Sequence, residues 1–287
     1  MRDPRKVADL GDKVECMVGD LDRPETIRPA LESIERVFLL TSKTQQDISV
    51  ITAAMSAGTR HIVKLSSQEA GWNPVEGHGH WHHEREELIR SSGVAWTFLR
   101  PSMYMSTALQ RVPTIKKESA VYFPGGTSQF APVDTRDVAA VACTALLSST
   151  HEGHGYELTG PELISIDDMA SILSGVLGKA IKYVDIPETT WGEQMLWYGV
   201  AKYVVDGLVE TFGLIRKGRF AYLTDDIAQA GKQAHNFESW CREHRQASLL
   251  QTRLCLVCYT GRPRFGRRRP EHGHCRKVAR LASERVC

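Results

Sequence analysis

The sequence contains no apolar run near the roughly 18 residues that a membrane helix requires, and no signal peptide opens it. Cysteine is scarce over most of the chain, since residues 1–246 hold only Cys16, Cys143 and Cys241, too few for a disulfide framework. Neither sign of charge dominates: 36 Lys and Arg oppose 34 Asp and Glu among 287 residues, a formal net charge of +2. These features predict a soluble, cytoplasmic, globular protein that does not enter a membrane, and they exclude a disordered or fibrous chain.

The small net charge hides a strongly basic C-terminal tail, residues 247–287. This tail carries +8, which leaves −6 for residues 1–246. Its metal-ligating residue types are Cys255, Cys258, His272, His274 and Cys275. They could be read as a zinc site, and the arginine-rich run among them as a nucleic-acid patch. The abrupt change to Arg-, Cys- and Pro-rich sequence instead resembles a gene read in a shifted frame. We therefore expect a disordered tail without zinc or nucleic-acid binding.

Short β-branched runs alternate with helical patterns up to residue 160, which is typical of βαβ units and a parallel sheet. The predicted strands are Val14–Val18, Arg36–Leu40, His61–Leu65 and Ala95–Leu99, and the predicted helices are Pro24–Ile34, Gln46–Ala57, Trp81–Ser91 and Val138–Leu147. The apolar face of the second helix would comprise Ile48, Ile51, Ala54 and Met55. Arg36–Leu40 is nearly all apolar, as expected of a strand that is covered on both faces.

Beyond residue 160 the pattern becomes mostly helical. Ser165 and Asp168 have capping-box spacing, the helix they open runs to Gly178, and Thr189–Leu214 is predicted to be helical. The predicted fold is therefore α/β: a Rossmann-like, doubly wound parallel sheet over residues 1–160, with a smaller, mostly helical lobe over residues 161–246 that completes the substrate side.

A glycine-rich turn is missing from the start of this pattern. A doubly wound dinucleotide-binding fold opens with a strand, a glycine-rich turn and a helix whose N-terminus holds the pyrophosphate. The sequence has no such unit, so we predict that the sheet lacks its first strand and glycine-rich loop. Either the protein never had this unit, or the chain starts inside the fold, as a truncated product or from a misplaced start codon. In the strand order of that fold the missing strands lie between Val14–Val18 and Arg36–Leu40, so without them these two strands would face a gap with unpaired backbone groups.

A series of short segments has a recognisable order and spacing. The segments are Arg2–Pro4, Gly19–Thr26, Val37–Ser42, His61–Ser67, Trp81–His82, Glu86–Arg90, Ser92–Pro101, Asp134–Ala139 and Tyr156–Pro161. Together they resemble the NmrA-like family of atypical short-chain dehydrogenases over roughly residues 2–246. The resemblance implies an NADPH-dependent reductase of quinone-like or azo acceptors. One alternative is a non-catalytic NADP-sensing protein that meets a regulatory partner, and another is an inactive truncated product. Without the pyrophosphate loop, we expect weak or no dinucleotide affinity.

The resemblance also implies a set of cofactor-binding residues at the strand ends: Arg2, Asp20, Leu21, Leu40, Thr41, Ser42, Ser66 and His82. Arg2 would lie at the ribose 2′-phosphate, and because a guanidinium forks onto phosphate oxygens, it favours NADP over NAD. The alternatives are a solvated charge at Arg2 and an ordinary turn at Asp20 and Leu21.

Three residues are predicted to be catalytic: Ser66, His82 and Tyr104. Ser66 follows a strand at the carboxyl edge of the sheet, where open α/β sheets bind ligands. Residues 77–87 contain neither the Tyr nor the Lys that typical short-chain dehydrogenases use to donate a proton, so His82 would contact the ribose or act as the acid. Tyr104 would line the substrate side with Met105 and Phe123. Alternatively, His82 is an ordinary helix-start residue, and Tyr104, Met105 and Phe123 belong to the core. The histidines near His82 do not predict a metal site, because a glycine-rich loop does not fix ligand geometry.

Overall fold

Four parallel strands form the central sheet of the protein, which a computed structural model describes over residues 14–245. Its strands, in spatial order, are β1 (Arg36–Leu39), β2 (His61–Leu65), β3 (Ala95–Pro101) and β6 (His154–Leu158). Arg36 lies opposite His61, and Thr97 lies opposite His154. Two small sheets accompany it: β4 (Ala120–Phe123) runs parallel to β8 (Lys182–Asp185), and β5 (Gln129–Phe130) runs antiparallel to β7 (Ile164–Ser165). Predictions for Arg2 and for the basic tail lie outside the described residues.

Helices connect these strands. They are α1 (Thr44–Ala57), α2 (Gly79–Ser91), α3 (Val112–Glu118), α4 (Thr135–Leu147), α5 (Ile166–Leu177), α6 (Glu188–Trp197), α7 (Lys202–Arg216), α8 (Asp226–Gln229) and α9 (Phe237–Glu243). The predicted capping box is confirmed, because Ser165 Oγ accepts from the backbone N–H of Asp168, whose carboxylate accepts from the backbone N–H of Ser165. Among the described residues, no helix is long and apolar enough to cross a membrane. The predicted cytoplasmic location stays a prediction.

Helices cover both faces of the central sheet, which confirms the doubly wound α/β prediction. Ile62 and Phe98 are fully buried in a core cluster that includes residues of α1 and α2. The next residues along the same strands, Val63 and Leu99, point to the opposite face and pack with residues of α4. Because side chains alternate along a strand and both faces are covered, most positions of β2 and β3 must be apolar. The exceptions are polar residues that have buried partners, such as Lys64 and Thr97.

The residues before β1 depart from the sequence predictions. Val14–Val18 is not a strand; Val14 and Val18 are 45% and 64% exposed, so strand formation would bury little apolar surface. The predicted helix Pro24–Ile34 consists of two 3-10 segments, Pro24–Thr26 and Arg28–Leu31. Pro29 lacks the N–H that an α-helix needs and disfavours helical geometry in the residue before it, which accounts for the difference.

Two further predictions were wrong. β1 is an edge strand of the described sheet and is not covered on both faces, since Phe38 is 41% exposed. The predicted helix Thr189–Leu214 is divided into α6 and α7, and Gly199 between them adopts a positive φ of 82°. That conformation is accessible to glycine and ends α6.

A second core lies beside the central sheet. Its buried residues come from α5, α7 and α9 and also from the segment that follows β3, including Met105, Phe123 and Phe130. Residues on both sides of position 160 therefore share this core. The division of the chain into residues 1–160 and 161–246 stays a prediction.

Candidate active site

A buried carboxylate collects two cations at the carboxyl edge of the sheet. Asp47 lies in the first turn of α1 and is fully buried. Its carboxylate is 3.3 Å from Lys64 Nζ on β2 and 3.1 Å from Arg85 Nε on α2. Thr41, just after β1, donates its hydroxyl proton to Asp47 at 2.6 Å. Two successive βα units, β1–α1 and β2–α2, thus deliver two side chains each to a single cluster, which carries one negative and two positive charges.

The guanidinium of Arg85 is the least satisfied group in this cluster. Arg85 is fully buried, yet Nη1 and Nη2 have no hydrogen-bond partner among the residues that the structure describes. Its Cζ lies 3.5 Å from the centroid of the Trp81 ring, which supports the charge by a cation–π contact. Burial lowers the pKa of Arg85 and of Lys64, although Asp47 opposes both shifts. The cluster therefore holds donors that point at no acceptor and a net positive charge.

His82 adjoins these cations and is neutral at neutral pH. Burial, reinforced by His78, Lys64 and Arg85, holds the pKa of His82 well below its ordinary value. The rings of His78 and His82 meet edge to face at 5.0 Å, and burial lowers the pKa of His78 to about 4. A neutral imidazole offers one donor and one acceptor but no additional proton. This favours the predicted ribose contact for His82 over the predicted role as an acid.

Ser66 is hydrogen-bonded to a second buried acid, Glu86. Its hydroxyl donates to Glu86 at 2.6 Å, and Glu86 also accepts two hydrogen bonds from Arg100, at 2.9 and 2.6 Å. Ser66 and Glu86 are both buried. Because the Ser66 proton is committed to a carboxylate, the lone pairs of its oxygen remain to accept a hydrogen bond from a ligand. In this arrangement Ser66 acts as an acceptor and not as a proton donor.

The loop residues predicted to contact the cofactor are linked through Gln46. Gln46 donates to Asp22 at 2.8 Å and accepts from the backbone N–H of Ser42 at 3.2 Å. Within the first loop, Asp20 accepts from the backbone N–H of Asp22, and Leu21 packs on the core near α1. The turn after residue 18 and the turn after β1 are therefore held side by side. Leu40 is 61% exposed there and free of the core.

Tyr104 stands apart from the cluster around Asp47. It follows β3, forms an isolated parallel bridge with Val133 and packs at the edge of the core near α4. Met105 and Phe123, predicted to line the substrate side with it, are 0% and 3% exposed and belong to the second core. Over residues 14–245, no group of three or more His, Cys, Asp or Glu side chains is arranged to hold a metal ion.

Four charged residues of the site were not predicted: Asp47, Lys64, Arg85 and Glu86. One signal could have found the first two. Lys64 interrupts a strand that is otherwise apolar and central, and a lysine at such a position requires a buried acid nearby. For Arg85 and Glu86 the sequence offers no comparable signal, because charged residues are ordinary on a helix.

Comparison with known proteins decides the family. A protein-family model for NAD(P)H binding matches residues 1–149. The chain belongs to this NAD(P)H-binding family. It is 30% identical over 253 residues to the NAD(P)H azoreductase of Xenophilus azovorans, with 86% of this chain and 88% of the relative covered. It is 32% identical, with the same coverage, to the (4-alkanoyl-5-oxo-2,5-dihydrofuran-3-yl)methyl phosphate reductase of Streptomyces griseus.

Solved structures of the same fold include an NADPH-dependent quinone oxidoreductase from Escherichia coli in complex with NADPH. The TM-score is 0.75 at 22% identity, and the match covers 85% of this chain and 88% of that one. The likeness confirms the predicted Rossmann-like fold of this member of the NAD(P)H-binding family. The family match and the two curated relatives support the prediction of an NAD(P)H-dependent reductase.

Proposed function

We propose that the protein is an NADPH-dependent reductase of planar quinone-like or azo acceptors. The proposal rests on the family and on one feature of the described site: a net positive, incompletely hydrogen-bonded cluster at the edge where α/β sheets bind ligands. The names of the curated relatives, an azoreductase and a reductase of a phosphate ester, supply the reaction class.

The polar groups at the carboxyl edge fit a nicotinamide dinucleotide. Within residues 14–245 the Nη1 and Nη2 groups of Arg85 have no acceptor, and Lys64 adds a second positive charge, so the cluster suits a phosphate or a sugar hydroxyl. Ser66 and the neutral His82 would accept hydrogen bonds from the ribose. When bound, the cofactor supplies a hydride. The residues of this chain orient both reactants and keep water out.

Proton supply is the weakest part of the predicted catalytic set. The Ser66 proton is committed to Glu86, and burial keeps His82 neutral. Tyr104 is the third predicted catalytic residue, and its phenolic O–H is a hydrogen-bond donor. A two-electron reduction of a quinone also completes with a proton from water, so turnover does not require a donor on the protein.

Absorbance measurements of NADPH oxidation with menadione, and of azo-dye decolorisation, test the proposal. We expect acceptor-dependent NADPH consumption, with an apparent dissociation constant for NADPH that reflects the weak affinity predicted from the sequence. Arg85→Met should raise that constant at least about tenfold, because a charge-assisted contact is lost. The control Arg60→Met removes an exposed charge at the amino end of β2, away from the carboxyl edge that holds Arg85, and should change nothing.

The second candidate function is an NADP sensor without turnover. Two observations favour it: Ser66 donates its proton to Glu86, and burial keeps His82 neutral, so neither residue is available as a proton donor. Saturable NADP binding together with no NADPH consumption, for menadione and for an azo dye, would select the sensor over the reductase.

A further inference from the structure

Arg100 fixes the carboxylate that accepts the Ser66 proton. It lies near the carboxyl end of β3 and donates through Nε and Nη2 to the two oxygens of Glu86, at 2.9 and 2.6 Å. Such a forked pair holds a carboxylate in one orientation. The Glu86 oxygen that accepts from Arg100 Nε is the one that accepts from the Ser66 hydroxyl. The direction of the Ser66 O–H bond is therefore set by Arg100, although the two residues are linked only through Glu86.

Two glycines leave the space that the Arg100 guanidinium occupies. A Cβ at Gly71 would lie 2.6 Å from Arg100 Nη1, and a Cβ at Gly155 would lie 2.9 Å from the same atom. Neither glycine adopts a positive φ, so the backbone does not require glycine at these positions. Any larger residue at either position would displace the guanidinium.

A second acid holds the other side of the guanidinium. Glu157 on β6 lies opposite Arg100 in the parallel register. Burial lowers the pKa of Arg100, but its hydrogen bonds to Glu86 and the charges of Glu86 and Glu157 outweigh burial and raise it. Glu157 accepts from the Tyr222 hydroxyl at 2.6 Å, and that hydroxyl accepts from Trp72 Nε1 at 2.7 Å. Arg100 is thus charged and held on both sides.

This arrangement decides which ligand groups Ser66 can bind. A hydroxyl whose proton is bonded to a carboxylate offers only its lone pairs, so it pairs with N–H and O–H groups and not with a carbonyl oxygen. The ribose hydroxyls and the carboxamide NH2 of a nicotinamide dinucleotide are donors of this kind. Quinone oxygens and azo nitrogens are hydrogen-bond acceptors, which Ser66 in this state cannot serve.

We propose that Arg100 is a positioning residue, which acts through Glu86 to hold Ser66 as a hydrogen-bond acceptor for the cofactor and not as a donor to the electron acceptor. The inference rests on the proposed function, because it places Ser66 beside NADPH in a reductase site. It gives Ser66 no part in protonating the product. The glycines at positions 71 and 155 belong to the same device, since they make room for Arg100.

Two constants separate the possible roles of Ser66: the dissociation constant for NADPH, from fluorescence titration, and KM for menadione. We expect Ser66→Ala to raise the dissociation constant roughly fivefold, because one hydrogen bond is lost, and to leave kcat and KM for menadione near their wild-type values. A lower kcat or a higher KM for menadione would mean that Ser66 donates to the electron acceptor, and it would overturn the proposal.

Gly71→Ala tests the role of Arg100 without removing any polar group. The added methyl displaces the guanidinium, so we expect the dissociation constant for NADPH to rise roughly threefold. In the Ser66→Ala background it should add nothing, because no hydroxyl is left to orient. Gly155→Ala should repeat this pattern from β6, whereas the control Gly213→Ala, which meets no atom within 4 Å, should leave binding unchanged. Equal effects of Gly71→Ala and Gly155→Ala in both backgrounds would refute a positioning role.

Urea denaturation tests the same coupling without any ligand. Ser66→Ala and Gly155→Ala both disturb the hydrogen bond from Ser66 to Glu86, so their shifts of the urea midpoint should be less than additive, although β3 separates the two positions. Less than additive shifts without measurable NADPH binding would keep the positioning role and count against the reductase. Additive shifts in a chain that binds and oxidises NADPH would refute the positioning role and keep the reductase.

Discussion

The amino and carboxyl edges of the central sheet, formed by the amino and carboxyl ends of its parallel strands, differ in how their buried polar groups are hydrogen-bonded. At the amino edge, Arg36 donates to His61 Nδ1 at 3.1 Å, and His61 Nε2 donates to Thr97 at 2.9 Å. The Thr97 hydroxyl in turn donates a hydrogen bond to the backbone carbonyl of His151 at 2.6 Å. Each donor in this series of hydrogen bonds has an acceptor. The neutral Nε2–H tautomer of His61 follows because Nδ1 accepts from Arg36 and Nε2 donates to Thr97. At the carboxyl edge, Asp47 faces two cations, and two nitrogens of Arg85 have no partner among the described residues.

A buried network that serves only stability tends to complete its hydrogen bonds, because an unmade bond costs about 1–3 kcal/mol. The amino edge meets that requirement. The carboxyl edge does not, and in parallel α/β sheets this is the edge that binds ligands. From this comparison we infer that His61 and Thr97 serve stability, and under the proposed function Arg85 and Lys64 would contact the ligand. The predictions that follow would break or sharpen that division.

The largest expected effect comes from the central acid of the carboxyl edge. Asp47→Asn leaves Lys64 and Arg85 buried without a counter-charge, which should lower the free energy of unfolding by roughly 3–5 kcal/mol in urea denaturation. Arg85→Met removes the surplus charge and should be close to neutral for stability. Adding Arg85→Met to Asp47→Asn should recover part of the loss, as a double-mutant cycle would show.

Equal destabilisation by Arg85→Met and Asp47→Asn would break the comparison. Arg85 would then be part of the stabilising core, in the same way as His61 at the other edge.

Apolar periodicity predicted the alternation of strands and helices, and side-chain chemistry predicted the cap at Ser165, because both signals are local. The same periodicity was right for only two of the four residues on the predicted face of α1, since Ile51 and Ala54 are buried. Ile48 and Met55 are exposed, whereas Asp47 and Val50 are buried. A buried Asp47 is stable only because Lys64 and Arg85 reach it from other elements, and such long-range pairing leaves no periodic trace in the sequence.

A second buried acid sharpens the comparison within the carboxyl edge. Glu86→Gln removes the negative charge that pairs with Arg100 and Arg90 and turns one of its two acceptor oxygens into an NH2 donor, and it should cost about 3 kcal/mol in the same denaturation experiment. The neighbouring Glu87→Gln is the matched control. Glu87 is exposed and pairs with Arg90 and, at 3.9 Å, with His83, both at the surface, so its loss should cost less than about 1 kcal/mol. Similar costs for both variants would mean that burial of Glu86 contributes nothing.

At the amino edge, Thr97→Val keeps the shape of the side chain and removes its hydroxyl. His61 Nε2 and the His151 carbonyl then lose a partner, and we expect a loss of about 1–2 kcal/mol in stability. NADPH affinity and menadione turnover should stay at the wild-type level, since Thr97 lies at the opposite edge from Arg85. A change in either would show that the two edges are coupled.

The smallest expected effect is the pH dependence of the amino edge. Burial, aided by Arg36 and His151 and opposed by Glu152, lowers the pKa of His61 in the folded protein. The unfolded chain has a histidine pKa of about 6.5, so below that pH it binds more protons than the folded protein, and stability falls as the pH is lowered. His78 and His82 add the same trend from the carboxyl edge. The share of His61 is therefore the difference in slope between wild type and His61→Gln, at most about 1.4 kcal/mol per pH unit. The exposed His154→Gln is the control and should have the wild-type slope. Identical slopes for wild type and His61→Gln would mean that His61 does not titrate with unfolding and adds no pH dependence to stability at the amino edge.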